Sequence, residues 1–179
     1  MSIAYTTQND LLLNNLMEFY KNETFLEKML KIITGESQIS LRIVDWFATN
    51  YAKKYYTTFM VEDKRFKVYV DYKLKLKAYS KRRFDPFCRW ERISIPYKEG
   101  TSIETTIGQL NFFKWALENK VVDYIENNYE NIEKDMNNRN STSKRKETAC
   151  KTRKKREELS VYASKSIKKE MVEIQVTFT

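Results

Sequence analysis

The chain has no histidine, only three glycines, two prolines and two cysteines, and no long apolar run, and each shortage removes a class of function. Without histidine, the Ser-His-Asp and Cys-His nucleophile systems, His-bearing zinc sites and the usual acid-base group of neutral pH are all missing. Gly35, Gly100 and Gly108 are too few to write a phosphate-cradling loop or a dinucleotide fingerprint. Cys88 and Cys150 have no partner at metal-ligand spacing, so two free thiols in a reducing compartment are expected. No segment approaches the roughly 18 apolar residues of a membrane span. Met1 to Tyr5 lacks the basic-then-apolar plan of a secretion signal. These absences predict an intracellular protein without membrane, metal or cofactor, and without enzyme activity.

What is present suits one folded core with a basic appendage. The chain has 179 residues, 41% hydrophobic and 14% aromatic. A domain of that size buries roughly 70% of its unfolded surface. The formal net charge of +9 is unevenly distributed. Residues 144–156, KRKETACKTRKKR, carry a net +7, and residues 64–92 a net +8 from eleven basic side chains against Asp71, Asp85 and Glu91. Clustering of one sign is what attraction to a polyanion requires.

Hydrophobic periodicity predicts helices over residues 7–20 (Leu11, Leu12, Leu16, Phe19), from a cap at Thr24 to Gly35, and from Ser40 to Tyr51. The period then changes. From Phe66 to Ala78 every second residue is apolar, while Lys67, Tyr69, Lys73, Lys75, Lys77 and Tyr79 occupy the alternate face. That alternation predicts a hairpin of Tyr55–Val61 with a long second strand. A helix over Tyr72–Ser80 is the alternative, since Leu and Lys are good helix formers. Asp85-Pro86 predicts a loop, Ile93–Tyr97 a strand, and Thr105 or Thr106 a cap for a helix carrying Leu110, Phe113 and Trp115, broken near Asn119. Beyond Met136 large apolar residues vanish for some twenty positions, as in a disordered segment. Val172, Ile174, Val176 and Phe178 then alternate like a strand. The fold class expected is α+β: helices packed on a small antiparallel sheet over residues 1–137, a disordered basic linker over 138–157, and a C-terminal helix/strand segment over 158–179 returning to the domain.

Cations interleaved with aromatic rings hold single-stranded nucleic acid, the cations following phosphates and the rings stacking on bases. The candidate nucleic-acid-binding residues are Lys73, Lys75, Lys77, Tyr79, Lys81, Arg82, Arg83, Arg89, Trp90 and Arg92. Lys144, Arg145, Lys146, Lys151, Arg153, Lys154, Lys155 and Arg156 form a second block, which fits a nucleic-acid tether or a nuclear-import signal. A second reading makes Phe84, Phe87 and Trp90 anchors in a protein partner's pocket. The helices around Asn119 could mimic a helix-turn-helix, but Asp123, Glu126 and Glu130 oppose groove insertion. Asp71 and Asp85 lie in basic surroundings and are expected in neutralising ion pairs, not around a metal.

The runs SLRIVDWFATNYAKK (40–54), YKLKLKAYSKRRFDPFCRWERI (72–93) and TTIGQLNFFKWALENKVVDYIENNY (105–129) resemble a family of small proteins of nucleocytoplasmic large DNA viruses, of mimivirus and phycodnavirus type. The resemblance implies a setting, the infected cell's replication factory or the virion, with DNA, RNA or a viral protein as partner. It implies no catalytic residue.

Overall fold

The structure is a computed structural model that describes residues 7–90, 92–97, 101–147 and 169–171. The chain opens on helix α1 (Gln8–Tyr20), started by a capping box in which the Thr7 hydroxyl accepts the Asp10 N–H and the Asp10 carboxylate accepts the Thr7 N–H. Helix α2 (Glu23–Thr34) is capped by Asn22 and not by Thr24, because the Asn22 side chain accepts the Thr24 N–H at 3.1 Å. It ends on Gly35 at φ 81°, a left-handed residue that glycine adopts without a Cβ clash. Ser40 caps α3 (Leu41–Trp46), which passes through one π-helical turn, Phe47–Tyr51, into the short α4 (Ala52–Lys54).

A hairpin follows, β1 (Thr58–Val61) against β2 (Lys64–Lys67), turning at Glu62 with φ 53°. The long second strand expected from Phe66 to Ala78 is not formed. Val68 begins a 17-residue helix, α5 (Val68–Phe84), so the alternative helix is correct and starts earlier than foreseen. Backbone pairing supplies the reason. Thr58 already pairs with Lys67, so β1 offers nothing further, and an extended chain beyond that point would leave its N–H and C=O groups unpaired. The same stretch also carries a helical face, Val68, Tyr72, Leu76 and Tyr79, which turns toward the core. Val70 and Leu74, expected inside a sheet, are 52% and 61% exposed. Ser80 interrupts the helix at φ 63°, ψ 167°, a region otherwise left to glycine.

Past Asp85-Pro86 comes a second sheet in the order β3 (Arg92–Tyr97), β4 (Thr101–Thr106), β5 (Lys169–Met171), antiparallel throughout. Ile95 and Ile103 face each other in the β3–β4 register, and both are buried. β4 runs without a loop into α6 (Ile107–Glu118), whose Gln109 N–H bonds to the Thr106 hydroxyl. Helix α6 is the centre of the molecule. Ten of its twelve residues are buried, and Phe112 and Trp115 pack with Tyr72 and Phe84 of α5 at ring-centroid distances of 5.8 to 6.4 Å. Such aromatic pairs contribute about 0.5–1.5 kcal/mol each beyond the area they bury. Gly108 lets α6 approach the end of α5, since a Cβ there would stand 2.8 Å from the Asp85 carbonyl oxygen. From the other side, the buried Tyr20 hydroxyl of α1 donates to the Leu110 carbonyl at 2.7 Å.

Lys120 at φ 53° breaks α6 from α7 (Val121–Asn127), and α8 (Tyr129–Glu147) follows. Helix α8 therefore continues through the first part of the stretch expected to be a disordered linker. Ile132 and Met136 bury its first half, and extending a nucleated helix costs little per residue. The rest of that stretch and the alternating residues 172–178 lie outside the described residues. The architecture is α+β, as expected, and mostly helical.

Candidate nucleic-acid interface

Helix α5 sorts the candidate residues by direction. Lys73 and Lys77 stand four apart on its exposed face, and Lys81 follows at the same step beyond Ser80, also exposed. None of the three side chains has a hydrogen-bond or ion-pair partner among the described residues. Exposed Lys64, Arg65 and Lys67 on β2, not singled out from the sequence, extend the series and are also without partners there. Like charges four apart on a helix, as Lys73 and Lys77 are, destabilise it by roughly 0.2–0.5 kcal/mol per pair.

The other candidates are turned elsewhere. Lys75 and Tyr79 are half-buried in a groove between α1, α5 and α6, beside Leu12 and Trp115. Tyr79 stacks on Phe84 at 6.1 Å, which takes one face of its ring. Arg83 is fastened to the start of α1, its Nε donating to Asn9 Oδ1 at 2.7 Å and its Nη1 to Gln8 Oε1 at 3.2 Å. Arg92 pairs with Glu104 at 3.1 Å across the sheet. Arg89 is exposed and engaged within the fold. Trp90 is 39% exposed, with the Arg82 guanidinium 4.5 Å from its ring centroid, so these two form one cation–aromatic unit. Lys144, Arg145 and Lys146 fall in the last turns of α8, and Lys151, Arg153, Lys154, Lys155 and Arg156 lie outside the described residues.

Two expectations about single residues are overturned. Phe84 cannot anchor a partner, being fully buried among Tyr72, Phe112 and Trp115. Asp71 and Asp85 form no ion pair among the described residues: Asp71 accepts the Trp115 indole N–H at 2.7 Å, and Asp85 accepts the Phe87 N–H at 2.9 Å. Asp45 on α3, which no pattern in the sequence marks, is the most perturbed carboxyl among the described residues. Burial, and then the neighbouring Asp85 charge, push it up to about 7. Burial, followed by the charges of Asp45 and Asp85, also raises the Tyr72 phenol well above its ordinary range.

Cys88 carries a free thiol. No group of three or more His, Cys, Asp or Glu side chains able to hold a metal occurs among the described residues. No helix among them is long and apolar enough to cross a membrane.

Sequence comparison gives the lineage. The family of unknown function DUF7197 matches residues 3–176. Uncharacterized protein L507 of Acanthamoeba polyphaga mimivirus is 40% identical over 153 residues, covering 80% of this chain and 58% of that protein. The chain thus spans less than two thirds of that relative's length. No solved structure matches it. With nearly its whole length matched, and with the resemblance to giant-virus proteins borne out, the chain belongs to the DUF7197 family.

Proposed function

We propose that this viral protein binds nucleic acid without catalysis, along the outer face of α5 and the adjoining β2 strand, in the replication, expression or packaging of a large DNA virus. The observation that carries the reading is the series Lys73, Lys77 and Lys81, exposed, four residues apart in the sequence and without acidic partners among the described residues. A protein that keeps such a self-repelling row gains most when a polyanion lies along it. Arg82 and Trp90 stand at the end of the row, where a base can stack. The host cytoplasm, viral factory or nucleus is the setting the reading implies.

The test is fluorescence anisotropy of labelled single-stranded and duplex DNA and RNA with the full chain at several salt concentrations. Six phosphate contacts, from Lys64, Arg65, Lys67, Lys73, Lys77 and Lys81, give a log–log salt slope of about −4 on single strands and about −5 on duplex. Changing Lys73, Lys77 and Lys81 together to Glu should weaken binding and flatten the slope by about 2 to 3. A slope near zero, or a triple variant that binds like the wild type, refutes the reading.

A second reading is supported by Val70 and Leu74, exposed among Lys73 and Lys77 in a shallow groove that also includes Tyr69 and Leu76. That surface suits an acidic amphipathic segment of a viral protein, in the virion or the transcription apparatus. Nuclease-resistant co-purification at fixed stoichiometry, lost in Leu74→Asp, distinguishes it.

A further inference from the structure

The π-helical turn at Phe47–Tyr51 separates α3 from α4; α3 and the turn pack against α8, and Lys54 of α4 reaches Asp135 on it. Between them lies a cleft of about 630 Å³, within the roughly 300–1,000 Å³ usual for small-molecule sites. Single turns of π-helix recur at functional sites.

One wall of the cleft is aromatic. Tyr51 and Tyr55 sit with ring centroids 4.5 Å apart, inclined at 45°, and Tyr55 is about half exposed. The base of the cleft is Asp135, which accepts hydrogen bonds from the Tyr55 hydroxyl at 3.2 Å, the Trp46 indole at 3.3 Å, and the Lys54 ammonium. Burial would raise the Asp135 carboxyl, but these three bonds and the Lys54 charge outweigh it and hold the group below the usual carboxylate range. Asp135 is therefore a neutralised anchor that does not repel an incoming anion. Two cations remain on the α8 side. Lys134 is exposed without a partner among the described residues. Arg139 lies 5.5 Å over the Trp46 ring and gives one hydrogen bond to Asn50, so most of its guanidinium donors stay available.

A metal is a poor fit to a single, already paired carboxylate. A neutral ligand would leave the two cations without purpose, and a simple anion would leave the aromatic wall without one. We infer that this cleft binds a nucleoside phosphate, free or as one nucleotide of a strand, with Lys134 and Arg139 on the phosphate and Tyr51 and Tyr55 against the base. The inference deepens the proposed function and, for the strand form, rests on it. Lys53, the neighbour of Lys54, stands 5.7 Å over the Tyr69 ring at the start of α5, so α4 bridges the lysine row and the cleft.

The experiment is calorimetric titration of the full chain with AMP, adenosine and inorganic phosphate, repeated on Lys134→Glu and Tyr55→Ala, with melting curves as the folding control. AMP should bind at least tenfold more tightly than adenosine or phosphate. Lys134→Glu, at an unpartnered surface residue, should lower AMP affinity about tenfold at unchanged melting temperature, and Tyr55→Ala should bring AMP down toward phosphate. AMP binding no better than phosphate, or unaltered in Lys134→Glu, overturns the inference. Oligonucleotide titrations separate it from the α5 reading. If the α5 triple variant loses the oligonucleotide while Lys134→Glu binds AMP and oligonucleotide normally, the cleft fails alone. If Lys134→Glu loses AMP while the triple variant keeps the oligonucleotide, the cleft stands and the α5 row falls. Competition between AMP and an oligonucleotide assigns the cleft to a strand, and its absence assigns the cleft to a free nucleotide.

Discussion

Asp45 ties stability to pH. Its carboxyl has no hydrogen-bond or ion-pair partner among the described residues, and burial with the nearby Asp85 moves it from 3.8 to about 7. An acid raised in the folded state favours its protonated form there, so ionisation works against folding. The wild type should hold this contribution in full below about pH 4, lose it steadily as pH rises through about 7, and stay level above. Three pKa units at about 1.4 kcal/mol each set a ceiling of about 4 kcal/mol. Asp45→Asn keeps the shape and removes the ionisation. Urea unfolding followed by tryptophan fluorescence should find the two proteins equal near pH 4 and the variant more stable by a few kcal/mol at pH 8. A stability difference that does not change with pH, or a wild type more stable than the variant at pH 8, would refute the argument and make Asp45 an ordinary ionised carboxylate.

Gly108→Ala would set a methyl group 2.8 Å from the Asp85 carbonyl and 3.2 Å from that of Arg82. Both neighbours are backbone, so α5 and α6 must part, at a cost of about 1–3 kcal/mol in thermal or urea unfolding. Arg83→Met should lose the bonds to Asn9 and Gln8 and about 1–2 kcal/mol of stability. The same variant should leave oligonucleotide affinity unchanged in anisotropy, in contrast to Lys77→Met.

Helix starts were legible because they rest on local chemistry: Thr7, Ser40 and Thr106 each present an oxygen to an N–H three residues on, and Gly35 takes the conformation it is suited to. Residues 68–79 were not, because Val, Tyr, Leu and Lys there satisfy period two and period 3.6 alike. What decided between them is distant in the chain: β1 ends its pairing at Thr58, and the aromatic cluster on α6 accepts Tyr72. The same long-range dependence sorted the candidate site. Charge clustering located the lysine row, but only packing could show that Arg83 belongs to α1 and Arg92 to Glu104. Asp45 and the cleft beside α8 left no local trace, since the residues that make them lie some forty to ninety positions apart.

A helix enclosed like α6, with water reaching little more than Lys114 and Glu118, has almost no position at which substitution is free. Substitutions that spare the fold are thereby confined to outer positions, such as the exposed surface of α5. The shape is held by one element, while the charges proposed to meet a partner sit on others. On the proposed reading, such a division separates what the protein grips from how it folds.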